Sequence, residues 1–240
     1  MTSKLKVTLL IPTLNEINGM KEIMPKINSQ WYDQIIIVDG GSTDGTVEYA
    51  KEKGYFVFIQ QKKGIRYAYI EAMKYVTGDI VVTFSPDGNS LPELIPALTE
   101  KMKEGFDMVI VSRYAKGAKS YDDDAITSFG NWMFNFLINL LYRVHYTDCM
   151  VMFRAWKKDI FISLDLDKED SYKTEESIFN TRVGVEPLLS IRAAKARLKC
   201  GEIPGDEPAR IGGERKLQIL RWGAAYLFEV FRELFFWRAK

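Results

Sequence analysis

The stretch Val7-Thr8-Leu9-Leu10-Ile11-Pro12-Thr13-Leu14-Asn15-Glu16 decides the fold. Its first half is apolar but for Thr8 and reads as a strand covered on both faces, as parallel sheets require. Pro12 closes the run and a polar turn follows. Four more runs repeat the pattern at residues 35–38, 56–59, 80–84 and 108–111, the first of them closed by Asp39-Gly40-Gly41. Helix-like stretches lie between them at 16–28, 43–53, 66–76 and 91–104. The second of these takes Ser42 as its expected N-cap and Gly54 as its stop. Alternation at this spacing predicts an α/β fold: a mostly parallel sheet with helices on both faces. In such sheets ligands bind beyond the carboxyl ends of the strands, so the chemistry is expected just after each strand.

Size and composition narrow the function classes. The chain has 240 residues, 47% hydrophobic and 27% charged, enough for one large domain with a sizeable core. A net charge of +1 provides no field for a nucleic-acid partner. Two cysteines, Cys149 and Cys200, and a single histidine, His145, exclude a Cys/His zinc site of the usual kind. The thiols read as reduced and packed, in a cytoplasmic protein. The first six residues are too short and polar for a signal peptide, and no run of 18 apolar residues spans a bilayer.

Three strand ends carry carboxylates. Pro12-Thr13-Leu14-Asn15-Glu16 follows the first strand and Asp39-Gly40-Gly41-Ser42-Thr43-Asp44-Gly45-Thr46 the second. Ser85-Pro86-Asp87-Gly88-Asn89 follows the fourth. Such a set suits a base, a ribose or a metal-bound diphosphate. The G-x-G-x-x-G turn of a dinucleotide fold is absent, and so is a P-loop. A diphosphate here would be neutralised most simply by Mg²⁺ or Mn²⁺ held on carboxylates.

These motifs in this order resemble the family 2 inverting glycosyltransferases of the GT-A fold, and among them the dolichyl- and polyprenyl-phosphate mannose and glucose synthases. Further matches run in register: Lys63-Gly64, Gly78-Asp79, Pro92-Glu93 and Ser112-Arg113-Tyr114. Later come Asp148 to Phe153-Arg154, then Arg210-x-x-Gly213-Glu214-x-Lys216-Leu217. The resemblance implies a UDP- or GDP-linked donor, with Pro12, Thr13, Asn15, Glu16, Asp39, Ser42 and Lys63 around it. It implies that Asp87, with Asn89 beside it, binds the metal bridging the phosphates, and that Arg113, Arg154, Arg210 and Lys216 gather phosphate charge. A polyprenyl or dolichyl phosphate is the implied acceptor, attacked onto the sugar with inversion. The sequence departs from the pattern at Ser85, where the related synthases carry the first aspartate of D-A-D, and at Gly40, Val151-Met152 and Phe129. The loss at Ser85 removes one hard ligand, so the metal is held more weakly or another group contributes.

Two apolar segments complete the expectation. Residues 126–142 form a helix apolar nearly all round, with Asn131, Asn135 and Asn139 as one narrow polar stripe. Residues 215–239 form a second, aromatic helix interrupted by Glu229, Arg232, Glu233 and Arg238. Both read as amphipathic helices at the cytoplasmic membrane surface, presenting a lipid phosphate; core packing or a homodimer interface is their alternative use. The expected division is a GT-A domain over 1–214, with a donor half 1–112 and an acceptor half 113–214, and a C-terminal helix over 215–240. Asp122-Asp123-Asp124 reads as a solvated loop. Two other functions fit the same residues. One is transfer to a glycan or small hydroxyl, with Glu186 or Asp148 as base; the other is a nucleotide-sugar binding module weakened at Ser85.

Overall fold

The structure, a computed structural model, describes residues 5–211 and 219–239. Its strands are β1 (Val7–Thr13), β2 (Gln34–Asp39), β3 (Phe56–Ile59), β4 (Ile80–Thr83), β5 (Met108–Ser112), β6 (Arg154–Lys157) and β7 (Cys200–Pro204). The helices are α1 (Ile17–Ile23), α2 (Thr46–Glu52), α3 (Ile65–Ala72), α4 (Ile95–Lys103) and α5 (Ala125–Tyr142). They continue with α6 (Ile160–Ser163), α7 (Lys173–Phe179), α8 (Glu186–Lys195) and α9 (Ile219–Phe235). One sheet runs β3-β2-β1-β4-β6-β5-β7. Every neighbouring pair is parallel except those made by β6, which is antiparallel to both β4 and β5.

The alternation along β1 builds two cores. Leu9 and Ile11 join Met20 and Ile23 of α1, Ala50 of α2 and Leu98 of α4. Leu10 faces the other way, onto Tyr69 of α3, Leu188 of α8 and Val230 of α9. Helices therefore cover both faces, as the buried strand pattern predicts.

The five strands expected from apolar runs all form. β6 and β7 were not anticipated, because Arg-Ala-Trp-Lys and Cys-Gly-Glu-Ile-Pro carry no long apolar run; they are strands because β4 and β5 pair with them. Ser42 does not cap α2. The helix begins later, after Gly45 at φ +95°, and Ser42 is used inside the preceding turn. In α9 the polarity is reversed from a simple surface helix: Glu229 and Glu233 are buried, whereas Leu220, Phe231 and Phe235 are exposed.

Strand order reverses between β1 and β4, since β2 and β3 lie to one side and β6, β5 and β7 to the other. That reversal opens a crevice at the carboxyl ends of β1 and β4, the place where such sheets take ligands.

Candidate active site

Two loops at the ends of β1 and β2 are sewn together. Asn15 adopts φ +55°. Its backbone N–H donates to Ser42 Oγ and its side-chain oxygen accepts from the Thr43 N–H, both at 2.8 Å. The Glu16 N–H donates to Thr46 Oγ1 at 3.0 Å. Slight burial pushes the Asp44 pKa up, but bonds accepted from the Thr46 hydroxyl and from the Ile17 and Thr46 N–H groups outweigh it and leave the pKa below the usual value. Asp39 lies at the centre and is fully buried. One of its oxygens accepts from the Gly41 and Ser42 N–H groups, the other from the Thr13 and Ser42 hydroxyls. Both carboxylate oxygens are thus spent on the turn, so Asp39 shapes the loop. Pro12 and Thr13 are buried beneath it, while Asn15 is exposed. The loop after β3 abuts this turn, the Gln60 N–H donating to the Asp39 carbonyl, and presents Lys63 to solvent.

The third loop carries Asp87. α1 nests against it so closely that a Cβ at Gly19 would lie 2.2 Å from the Pro86 carbonyl oxygen. Gly88 turns the chain at φ +94°, and a Cβ there would lie 2.6 Å from Ile211. The Ile211 N–H donates to the Asp87 carbonyl at 2.9 Å. Asp87 Oδ1 accepts from the Asn89 N–H at 3.1 Å, and Oδ2 pairs with Arg210 Nη1 at 2.9 Å. The same guanidinium reaches Asp122 Oδ2 through Nε at 3.3 Å, and Asn89 Nδ2 donates to that oxygen at 3.1 Å. The other side-chain atom of Asn89, Oδ1, is buried with no hydrogen-bond partner among the described residues.

This cluster corrects the reading of 122–124 as a solvated loop, for each acid has a separate use. Asp122 joins Asp87 and Arg210. Asp123 accepts from Tyr114 Oη and from Asn131 Nδ2. Asp124 caps α5, accepting from the Thr127 N–H at 2.7 Å. No periodicity or spacing signals Asp122, because it is brought to the site from the loop after β5.

Two of the expected phosphate arginines are elsewhere engaged. Arg113 grips Asp148 with Nε at 2.6 Å and Nη2 at 3.0 Å, and gives Nη1 to Glu207. Glu207 in turn holds the loop before Asp122, accepting at its carbonyl from the Tyr121 N–H and at its carboxylate from Ser120 Oγ. Arg154 is 1% exposed and donates to the Cys149, Val151 and Glu186 carbonyls and to Ser190 Oγ. All three of its nitrogens are satisfied inside the core, so it organises residues 149–154 instead of meeting a phosphate. Asp148, bound to Arg113, is likewise no free base. Glu186 starts α8 and accepts from Tyr69 Oη at 2.5 Å; burial first, then Glu186, push the Tyr69 hydroxyl pKa well up. Arg210, expected at phosphate charge, pairs here with Asp87 and Asp122. Lys216, with Gly213 and Glu214, lies outside the described residues.

Among the described residues no group of three or more His, Cys, Asp or Glu side chains is placed to hold a metal ion. Asp87 and the orphaned Asn89 oxygen are nonetheless the hard oxygen donors that Mg²⁺ and Mn²⁺ favour, so the expected pair fits such an ion chemically. A separate cavity of about 740 Å³ is lined by residues of α7, of the segments just before and after it, and of α9, including Lys173, Arg182, Arg221 and Trp222, and by none of the expected site residues.

α5 leaves the cluster directly. Asn131, Asn135 and Asn139 face inward, the last two donating to the Thr147 and Tyr146 carbonyls. The opposite side exposes Ile126, Phe129, Trp132, Phe136 and Leu140, each by more than half. The rings of Phe129, Trp132 and Phe136 follow one another at centroid spacings of 5.8 and 5.7 Å. No helix among the described residues is long and apolar enough to cross a membrane.

Comparison with known proteins agrees with this architecture. The model of the family described as glycosyl transferase family 2 matches residues 8–165. A dolichol-phosphate mannosyltransferase of Pyrococcus furiosus is 37% identical over 123 residues, 48% of this chain and 35% of that protein. An undecaprenyl-phosphate mannosyltransferase of Micrococcus luteus is 24% identical across 95% of this chain and 98% of its own length. A glucosyl-3-phosphoglycerate synthase of Mycobacterium tuberculosis, solved with Mn²⁺, uridine diphosphate and phosphoglyceric acid, superposes with a TM-score of 0.65. It is 18% identical and covers 97% of this chain and 79% of that one, a likeness of fold.

Proposed function

The chain belongs to glycosyl transferase family 2, and from that premise we propose that it moves a hexose or N-acetylhexosamine from a UDP- or GDP-linked donor to a polyprenyl or dolichyl phosphate, with inversion. One observation carries the acceptor. The exposed aromatic side of α5 begins at Ile126, two residues after the Asp124 cap and four after Asp122. A lipid held along that stripe has its phosphate delivered beside Asp87. The two relatives named for lipid-phosphate mannosyl transfer support the same reading.

In this proposal residues 1–112 form the donor half and 113–214 the acceptor half. The sewn loops around Asn15, Asp39 and Ser42 form a rigid floor for the nucleoside, and Lys63 supplies positive charge at its edge. Asp87 and Asn89 hold Mg²⁺ or Mn²⁺, which when bound offsets negative charge on the departing diphosphate. Arg210, and Lys216 beyond the described residues, add cationic charge to the same phosphates. A lipid phosphate is ionised at neutral pH, so its oxygen attacks the sugar carbon without a general base. Arg113 and Arg154 act by holding the loops in place. The exposed sides of α5 and α9 rest on the cytoplasmic membrane surface.

Incubation with labelled UDP- and GDP-sugars and a short polyprenyl phosphate tests the proposal; the expected outcome is an organic-extractable glycolipid with one donor. Absence of such a product with every donor overturns it. A second reading, transfer to a soluble acceptor hydroxyl, draws on the buried Glu186–Tyr69 hydrogen bond as a candidate base. It requires Glu186→Gln to abolish transfer while donor binding survives.

A further inference from the structure

We infer that Asp122 is the second carboxylate of the divalent-cation site, taking over the charge missing at Ser85, and that Arg210 holds its place until the cation binds. The inference rests on the proposed metal-dependent transfer and extends it to residues outside the strand-end motif.

Three observations point to it. Asp122 reaches the Asp87 loop from a different part of the chain and shares with Asp87 one guanidinium, at 3.3 and 2.9 Å. Asn89 bridges the two acids, its backbone N–H on Asp87 Oδ1 and its Nδ2 on Asp122 Oδ2. Its own Oδ1 is left buried and unpartnered among the described residues. A buried carbonyl oxygen without a donor is costly and uncommon, and a cation is the kind of partner that satisfies it. Two carboxylates and an amide oxygen would make a hard, anionic donor set of the type Mg²⁺ and Mn²⁺ take.

The placement of Asp122 is built. Residues 119–121 are pinned to Glu207: the Glu207 N–H donates to the Lys119 carbonyl at 2.9 Å and the Tyr121 N–H to the Glu207 carbonyl at 2.8 Å. Glu207 is itself held by Arg113. Arg210 follows three residues later on the same strap, so the loop bearing the acid and the strap bearing the cation are positioned together. Charge explains why Arg210 sits there. Two neighbouring carboxylates repel, and one guanidinium between them offsets half of their charge. A divalent ion offsets all of it and competes for the same oxygens. Its arrival frees Arg210, whose forked donors then suit the donor's phosphates.

Mn²⁺ titration followed by the paramagnetic resonance of the free ion, with and without UDP or GDP, tests this on the whole chain. Asp122→Asn is expected to weaken Mn²⁺ binding by at least about tenfold, as Asp87→Asn does. Asp124→Asn removes the same charge two residues away while preserving a capping side chain, and should change affinity by less than about twofold. Arg210→Gln should tighten binding of Mn²⁺ alone. Because Asp122→Asn could disturb its loop, the native protein is also loaded with Fe²⁺ and treated with ascorbate and peroxide. Cleavage beside both residue 87 and residue 122 is expected. Native Mn²⁺ affinity in a folded Asp122→Asn protein, or cleavage beside residue 87 alone, overturns the inference and leaves the transferase reading intact. A native protein that binds no Mn²⁺ with any nucleotide overturns the metal site altogether, and the glycolipid assay then reports separately on transfer.

Discussion

Arg154 shows how a residue's type can suggest one use and its surroundings another. Its guanidinium is spent on three backbone carbonyls and the Ser190 hydroxyl. Replacing it with leucine leaves those buried acceptors unmatched, a loss of about 3 kcal/mol. Thermal melting of Arg154→Leu should fall by roughly 6–12 °C for a domain of this size. Nucleotide affinity measured below the transition should stay native, since the side chain faces no ligand space. A large loss of affinity with an unchanged melting temperature would falsify this assignment. Asp39 belongs to the same class: it was read as a nucleoside contact, and its four hydrogen bonds make it the brace of the turn that forms the floor.

At the scale of elements, α9 and α5 carry the sharpest expectations. Glu229 of α9 is fully buried, and no donor among the described residues reaches either of its carboxyl oxygens. Burial first, then the adjacent Glu175, push its pKa well above the ordinary carboxylate value. Burial likewise pushes Glu175 up to about 7, against the pull of Arg232. Arg232 also pairs with Glu233, which holds Arg192 of α8 at 3.0 Å. An acid whose folded pKa exceeds its unfolded value, 4.5 here, stabilises the fold while protonated. That contribution is complete below about pH 4.5 and is lost as the pH climbs through about 7. The melting temperature of native protein relative to Glu229→Gln should therefore decline as the pH rises from about 4.5 towards about 7. A constant difference over that interval overturns the assignment. On α5, Trp132 and Phe136 lie on the exposed stripe and touch the core little. Replacing both with serine should leave melting within about 1 °C, the usual range for surface changes, and should weaken co-sedimentation with anionic vesicles. Unchanged co-sedimentation removes α5 from the membrane contact.

The described residues form a single sheet whose order reverses at β1 and β4, with the loops of Asn15, Asp39, Lys63 and Asp87 following the carboxyl ends of its strands. A nucleotide that binds there stabilises the entire fold by linkage. At about 100 times its dissociation constant the gain is about 2.7 kcal/mol, or roughly 5–10 °C at this size. One of UDP and GDP, with Mn²⁺, should produce that shift, and a chelator should remove most of it. No shift with either nucleotide contradicts the donor site.

Much of this was legible beforehand, for physical reasons. Five buried strands announce themselves because both faces must be apolar, and the loops after them follow because parallel sheets place ligands there. Asn15, Asp44 and Asp87 are readable since each lies within a few residues of its own strand. The chain alone thus determined the α/β layering and the family, and it pointed to the carboxyl end of the sheet as the candidate site. Tertiary structure alone decided how the charges are used. β6 and β7 exist through pairing with neighbours. Arg113 and Arg154 are turned inward by acids and carbonyls distant in sequence, and the buried acids of α9 face the protein against their usual preference. Asp122 reaches the site from the loop after β5, held by Glu207 some 85 residues further along the chain. Local sequence encodes hydrophobic period and turn chemistry, whereas the partner of a charge is set by folding across such distances.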